Sequence, residues 1–388
     1  MHLAQRIGYL VQRQKQEKKS NLKRALIILF ALAAVACSKT DVTFDDTQST
    51  PIALVPASGN ITKAAITDGV FPTNNHIALY AYHSTQVNAA ADGQTLTYAD
   101  YTKFDKQYFN GQEFYCKNNS QAIWSGLPAQ YWPATGSMVF AGYSLEPTEG
   151  KANDESFVRN GTASYTLSTD IFTLTGYTQS NVTSDTYDLL YFGRTDKSYS
   201  KNSTSVPVVF KHALAWIEIK VKGNTGSLVD GRVWAVTNVE FTGVETEGDF
   251  TYNGLAAGTA DDPKAYWNNC SDAKNVVVFN EDLDIDPERP RQPLTSTATI
   301  IENVSHGTLV IPQTAKMLYV TVKYQSPANV EITEVVEVDI PSVTTAWESG
   351  KKYIYELTFS PKEILIAPTV EVWPDDAPGL VEEDFDLQ

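Results

Sequence analysis

The most reactive candidate in this chain is a cysteine. Cys37 follows the apolar run at 25–36, ALIILFALAAVA, which follows Lys23 and Arg24. A basic flank, about a dozen apolar residues and a small-residue junction make a secretory signal. The run is too short to cross a bilayer, which takes roughly 20 residues. A cysteine directly at the junction points to thiol acylation, with cleavage leaving lipidated Cys37 as the new N-terminus. Elsewhere the chemistry is sparse. There is no G-x-S-x-G, and Gly350-Lys351-Lys352 lacks both the upstream glycine and the following Ser/Thr of a phosphate loop. His2, His76, His83, His212 and His306 show no H-x-x-x-H spacing. His212 sits in a strand pattern and reads as a structural histidine, not a ligand or base. Asp282, Asp284 and Asp286 alternate as in a calcium loop, but Pro287 takes the glycine position and Pro293 the bidentate glutamate position. No catalytic constellation, metal site or cofactor is therefore expected. Cys116 and Cys270, far apart, read as small apolar residues more readily than as a disulfide.

The segment before Cys37 carries seven Lys/Arg against one Glu, so removing it moves the net charge from −16 to −22. Such a surface argues against nucleic acid or a bare anionic membrane as partner. From residue 37 to 50 the chain is polar and reads as a tether. After it, strands dominate. Ile77, Leu79 and Ala81 alternate with Tyr80 and Tyr82; Ile217, Ile219 and Val221 alternate with Glu218, Lys220 and Lys222. Leu318, Val320, Val322 and Tyr324 share a face, as do Ile332, Val336, Val338 and Ile340 on the partner strand of a hairpin. No stretch after Cys37 holds a helical period over three turns. The residues at 89–106 read as a surface loop, and the Ser/Thr/Asn/Gly-rich stretch at 151–186 as an insertion. The polar stretch at 197–205 reads as a linker. The fold class is all-β, built of β-sandwiches. The organisation expected is a signal at 1–36, a tether at 37–50, and domains at 51–203 and 204–388.

Two apolar strand faces lie at opposite ends of the chain. Ile52 and Leu54 share one; Ile364, Ile366, Val370 and Val372 share the other, with Pro368 between them and Trp373 just after.

Several segments, in order, resemble the fimbrillin family of type V pilus subunits and related surface lipoproteins. They are the signal ending at Cys37, Ile52 to Pro56 with Thr62-Lys63-Ala64, and Ile77 to Tyr82. Tyr131-Trp132-Pro133, Phe140-Ala141-Gly142-Tyr143 and Asp188-Leu189-Leu190-Tyr191 follow. Val209 to Leu214, Ile311-Pro312-Gln313-Thr314, Trp347 to Tyr353 and Thr369 to Trp373 complete the set. The resemblance implies two tandem transthyretin-like β-sandwich domains and export as an outer-membrane lipoprotein. It also implies proteolytic removal of the first strand after a basic residue, here Lys63. A C-terminal strand of another subunit then fills the groove, with partners that are other fimbrial subunits and a host or bacterial surface receptor. Lys63 departs from the arginine usual there, and an Arg-specific protease would lose its bidentate contact. A non-polymerising, glycan-binding surface lipoprotein is the alternative, because scattered Tyr and Trp could stack on sugars.

Overall fold

A computed structural model describes residues 50–56, 76–87, 95–116, 123–147, 157–181, 187–203, 205–224, 235–254, 264–283, 292–301, 308–313, 317–325, 328–339, 346–360 and 363–372. Apart from the four-residue helix α1 (Tyr98–Tyr101) and a single 3₁₀ turn at Glu281–Leu283, its regular elements are strands. In order these are β1 (Ala53–Pro56), β2 (His76–Ser84), β3 (Lys106–Cys116), β4 (Trp124–Gly126), β5 (Ser137–Pro147), β6 (Phe157–Val158), β7 (Thr162–Thr166), β8 (Ile171–Thr178), β9 (Leu190–Phe192), β10 (Val206–Val208) and β11 (Lys211–His212). They continue as β12 (Ala215–Gly223), β13 (Ala235–Asn253), β14 (Lys264–Asn280), β15 (Gln292–Pro293), β16 (Thr299–Ile300), β17 (Thr308–Val310), β18 (Met317–Gln325), β19 (Glu331–Asp339), β20 (Lys351–Phe359) and β21 (Ile364–Val372). Among the described residues no helix is long and apolar enough to cross a membrane.

The strands form three sheets. The first runs β10-β1-β4-β3-β2-β5-β9-β11, the second β16-β12-β20-β21 with β17 on β12, and the third β19-β18-β13-β8-β7 with β14 on β13. Strand β2 is almost wholly buried, so at β2 both faces of the first sheet pack against apolar residues. Ile77, Leu79 and Ala81 join Ile52, Leu54, Phe114, Trp124 and Phe140 in one core. Ala78 and Tyr80 join Phe172, Leu174, Tyr191, Phe250 and Tyr252 in another. A third core lies between the second and third sheets: Ile217, Ile219 and Val221 meet Val239, Phe241, Val320, Val322, Tyr355 and Leu357.

Pairing crosses residue 203 in both directions. Val206 and Val208 pair in parallel with β1, while β8 pairs with β13. The stretch at 197–205 differs from the expected linker. Tyr199 and Met138 exchange backbone hydrogen bonds of 2.7 and 2.9 Å, and Ser198 and Ser200 are buried. Its polar composition serves a turn, in which the Ser200 N–H donates to the Ser203 hydroxyl and the Asn202 N–H to the Ser200 hydroxyl. The described part of 151–186 is not a loose insertion either. It forms β7 and β8, whose Tyr165, Phe172, Leu174 and Tyr177 are anchored in the second core. Within 89–106, Tyr101 and Phe104 are buried too.

At the end of the β7–β8 hairpin Asp170 adopts a left-handed conformation with φ of 48° and is buried. Its carboxylate accepts from the Tyr165 hydroxyl at 2.9 Å and from the Arg194 N–H at 3.1 Å. Burial still pushes its pKa up, the hydrogen bonds and the Arg194 charge opposing. A carboxyl raised in the folded state contributes its full stability below its unfolded pKa. That contribution is lost as pH rises through the folded value. We expect the stability of wild type relative to Asp170→Asn, from urea midpoints, to fall as pH rises from the ordinary aspartate range and then level off. A difference that grows with pH would reverse this assignment.

Candidate strand-exchange sites

The sequence PIALVP fixes the first site locally. Alternation directs Ile52 and Leu54 to one face, and both are fully buried, while Ala53 and Val55 are half-buried. The segment is held on both edges. On one side Ala53 and Leu54 pair with Ser125 and Trp124, the Ile52 N–H donates to Gln130 O at 2.8 Å, and the Trp132 N–H donates to Thr50 O at 3.1 Å. On the other side β10 runs parallel, pairing Leu54 with Val206 and Pro56 with Val208. β1 is thus a short insert between two strands from distant parts of the chain. Its absence would expose two unpaired edges and the apolar floor of Trp124, Trp132, Val206, Val208 and Phe210.

The second site is the last strand. β21 pairs with β20 over nine successive residues, from Phe359 with Ile364 to Lys351 with Val372, and with nothing on its other side among the described residues. Pro368 does not break it. Pro368 stands opposite Tyr355 without a register shift, as an edge strand permits. Ile364 and Ile366 pack partly against the third core, whereas Leu365 is 53% and Val370 36% exposed. Beneath the strand, burial raises the pKa of the Tyr355 phenol, which accepts from the Trp347 Nε1–H at 2.9 Å. Cys37, Lys63, Trp373 and the side chain of Val372 lie outside the described residues.

The edges are not equivalent. β19, at the margin of the third sheet, carries Glu331, Glu334 and Glu337, an arrangement that repels a pairing chain. β21 carries only Glu371 and is otherwise apolar or neutral. This contrast is visible in the sequence once both segments are known to be edges. The parallel partner β10 is not, because nothing near Val206 points to residue 54.

A family model described as fimbrillin-like matches residues 62–373. The chain belongs to the fimbrillin-like family. No curated protein matches the sequence. This fimbrillin-like chain is similar to a solved fimbrial protein from Bacteroides vulgatus, at 16% identity over 77% of this chain and 93% of that one, with a TM-score of 0.49. It is also similar to the tip fimbrial protein Mfa3 from Porphyromonas gingivalis with C-terminal truncation, at 7% identity over 83% and 98% of the two chains and a TM-score of 0.32.

Other candidates in this fimbrillin-like protein are structural. His212 Nδ1 lies 2.7 Å from Asp188 Oδ2, both side chains buried, and His76 Nδ1 lies 2.6 Å from Glu113 Oε1. Cys116 and Cys270 are not disulfide-bonded. Among the described residues no group of three His, Cys, Asp or Glu is placed to hold a metal.

Proposed function

We propose that this member of a family of fimbrial subunits is a structural or accessory subunit of a type V-like surface fimbria, assembled by strand exchange and contributing to adhesion. In this reading it travels as a lipoprotein acylated at Cys37 and is held at the outer membrane by that anchor. Cleavage after Lys63 frees the segment containing β1. The β21 strand of a neighbouring subunit then enters the vacated groove, its backbone pairing with β4 and β10 and its alternate side chains filling the apolar floor. The observation that carries the reading is the seating of β1 and the residue before it: a four-residue strand paired on both edges, with Ile52 and Leu54 fully buried.

Burying the four donor side chains Ile364, Ile366, Val370 and Val372 would contribute on the order of 6–12 kcal/mol before ordering costs. Burying Ile52 and Leu54 contributes about 3–6 kcal/mol on the same scale. The longer face wins, provided that β21 can leave its own sheet. Its partial burial and single pairing edge support that step. Purified precursor cut at Lys63 is expected to form ladders or filaments by size exclusion and electron microscopy, whereas a chain ending at Pro361 is not. If both stay monomeric after confirmed loss of β1, or both polymerise alike, β21 is not the donor. Intact-mass analysis of the surface-extracted protein reads the other two steps, acylation at Cys37 and the processed N-terminus.

A further inference from the structure

A cleft of about 460 Å³ opens beside the start of β20. Tyr266, Trp267, Trp347, Glu348, Lys211 and Lys351 contribute to its lining. The aromatic walls are fixed: the Trp267 Nε1–H donates to Ala213 O at 2.7 Å and the Trp347 Nε1–H to the Tyr355 hydroxyl at 2.9 Å. Tyr266 is 46% exposed. Among the described residues Lys351 has no ion-pair or side-chain hydrogen-bond partner, and Lys211 interacts electrostatically with Asp170 from a distance. Two lysines against one glutamate make this cleft cationic on a chain whose net charge is −16.

What lies next to it in the chain is anionic. The register pairs Val372 with Lys351, so β21 ends at the rim of the cleft. Because the two strands are antiparallel, a chain continuing past Val372 sets off toward Gly350 and Ser349, which also line the cleft. Residues 373–388, WPDDAPGLVEEDFDLQ, hold six acids and no base. Asp375 and Asp376 come three and four residues beyond the strand, within about 10–14 Å of its end.

We propose that this cleft is the docking site of the acidic segment following β21 in the same molecule, with Lys211 and Lys351 receiving Asp375 and Asp376. The occupant follows from three independent facts: where the strand ends, the sign of the charge on each side, and the short reach required. A cis clasp of this kind holds the last residues of β21 against β20 at the end where its side chains are least buried. It is a property of the chain before any strand exchange and does not depend on that exchange.

The test uses the full-length chain, as an equal mixture of ordinary and ¹⁵N-labelled copies, treated with a water-soluble carbodiimide that joins touching lysines and carboxylates. Mass spectrometry is expected to find Lys351 or Lys211 joined to Asp375 or Asp376 within one isotopic copy. In parallel, acylation of both lysines by an amine-reactive ester should speed up severalfold in the Asp375→Asn/Asp376→Asn variant and at high salt, with exposed Lys106 unchanged as reference. Cross-links formed only between differently labelled copies would assign the cleft to a second molecule and overturn the cis reading. Absence of those links together with unchanged lysine reactivity would overturn the site itself. Neither outcome bears on filament formation after cleavage at Lys63, so the two proposals fail separately.

Discussion

His212→Ala is expected to lower the stability of the fold by about 3–5 kcal/mol, because removing one partner of a buried pair leaves the other uncompensated. Asp188 and His212 are joined at 2.7 Å, with side-chain exposures of 0% and 2%, so the pair is held away from solvent. The second carboxylate oxygen, Oδ1, is already buried without a hydrogen bond, which leaves Asp188 little to fall back on. The pair also fastens β11 to the approach to β9, beside the His212–Leu190 register. His212→Asn, which keeps a donor, should lose less. Urea unfolding of the three proteins decides the matter, and a loss below about 1 kcal/mol for His212→Ala would show that Asp188 finds other donors.

Leu54→Ala is expected to cost about 2–5 kcal/mol, the range for truncating a buried leucine whose surroundings relax only in part. Leu54 is fully buried and pairs with Trp124 on one side and Val206 on the other, so the cavity would open between strands that cannot approach each other across β1. Val55→Ala, half-buried on the opposite face, serves as the comparison and should cost under about 1 kcal/mol. The same variant links stability to assembly. After cleavage at Lys63, the released segment should dissociate faster from Leu54→Ala than from wild type, read as free peptide by mass spectrometry over time. Equal costs for the two variants would mean that β1 is not held by its inner face.

What the sequence made legible was governed by parity. β12 and β18 keep apolar residues on one side of an unbroken alternation, so Ile217, Ile219 and Val221, or Val320 and Val322, announce themselves. β13, the longest strand, does not. Around Gly243 its inward residues are Val239 and Phe241 just before it, and Val244, Thr246, Phe250 and Tyr252 after it. The register shift between Phe241 and Val244 moves the buried set from odd to even numbers, and Gly243 takes the positive φ of 75°. β7 and β8 were hidden for a different reason: their anchors Tyr165, Phe172, Leu174 and Tyr177 sit among Thr, which favours strands, and Ser, which does not, and the two together read as loop in bulk composition. Residues 206–223 hold three strands, β10, β11 and β12, because their partners change from β1 to β9 to β20. Such changes are set by distant segments and leave no local mark. At the candidate sites the inward faces of β1 and β21 were readable, but the parallel partner of β1 was not.

The continuity of β13 has a mechanical consequence. Its first half pairs with β18 and contributes Val239 and Phe241 to the third core, while its second half pairs with β8 and contributes Phe250 and Tyr252 to the second. Nineteen residues, at most roughly 60 Å of extended backbone, thus run from one core into the next with a bulge at Gly243 but no intervening loop. A pull applied to one core reaches the other through a taut covalent strut, flanked along most of its length by β14. The hydrogen bonds on either side would be loaded together in shear, not unzipped singly. A subunit wired this way transmits tension along its length without first unreeling a linker.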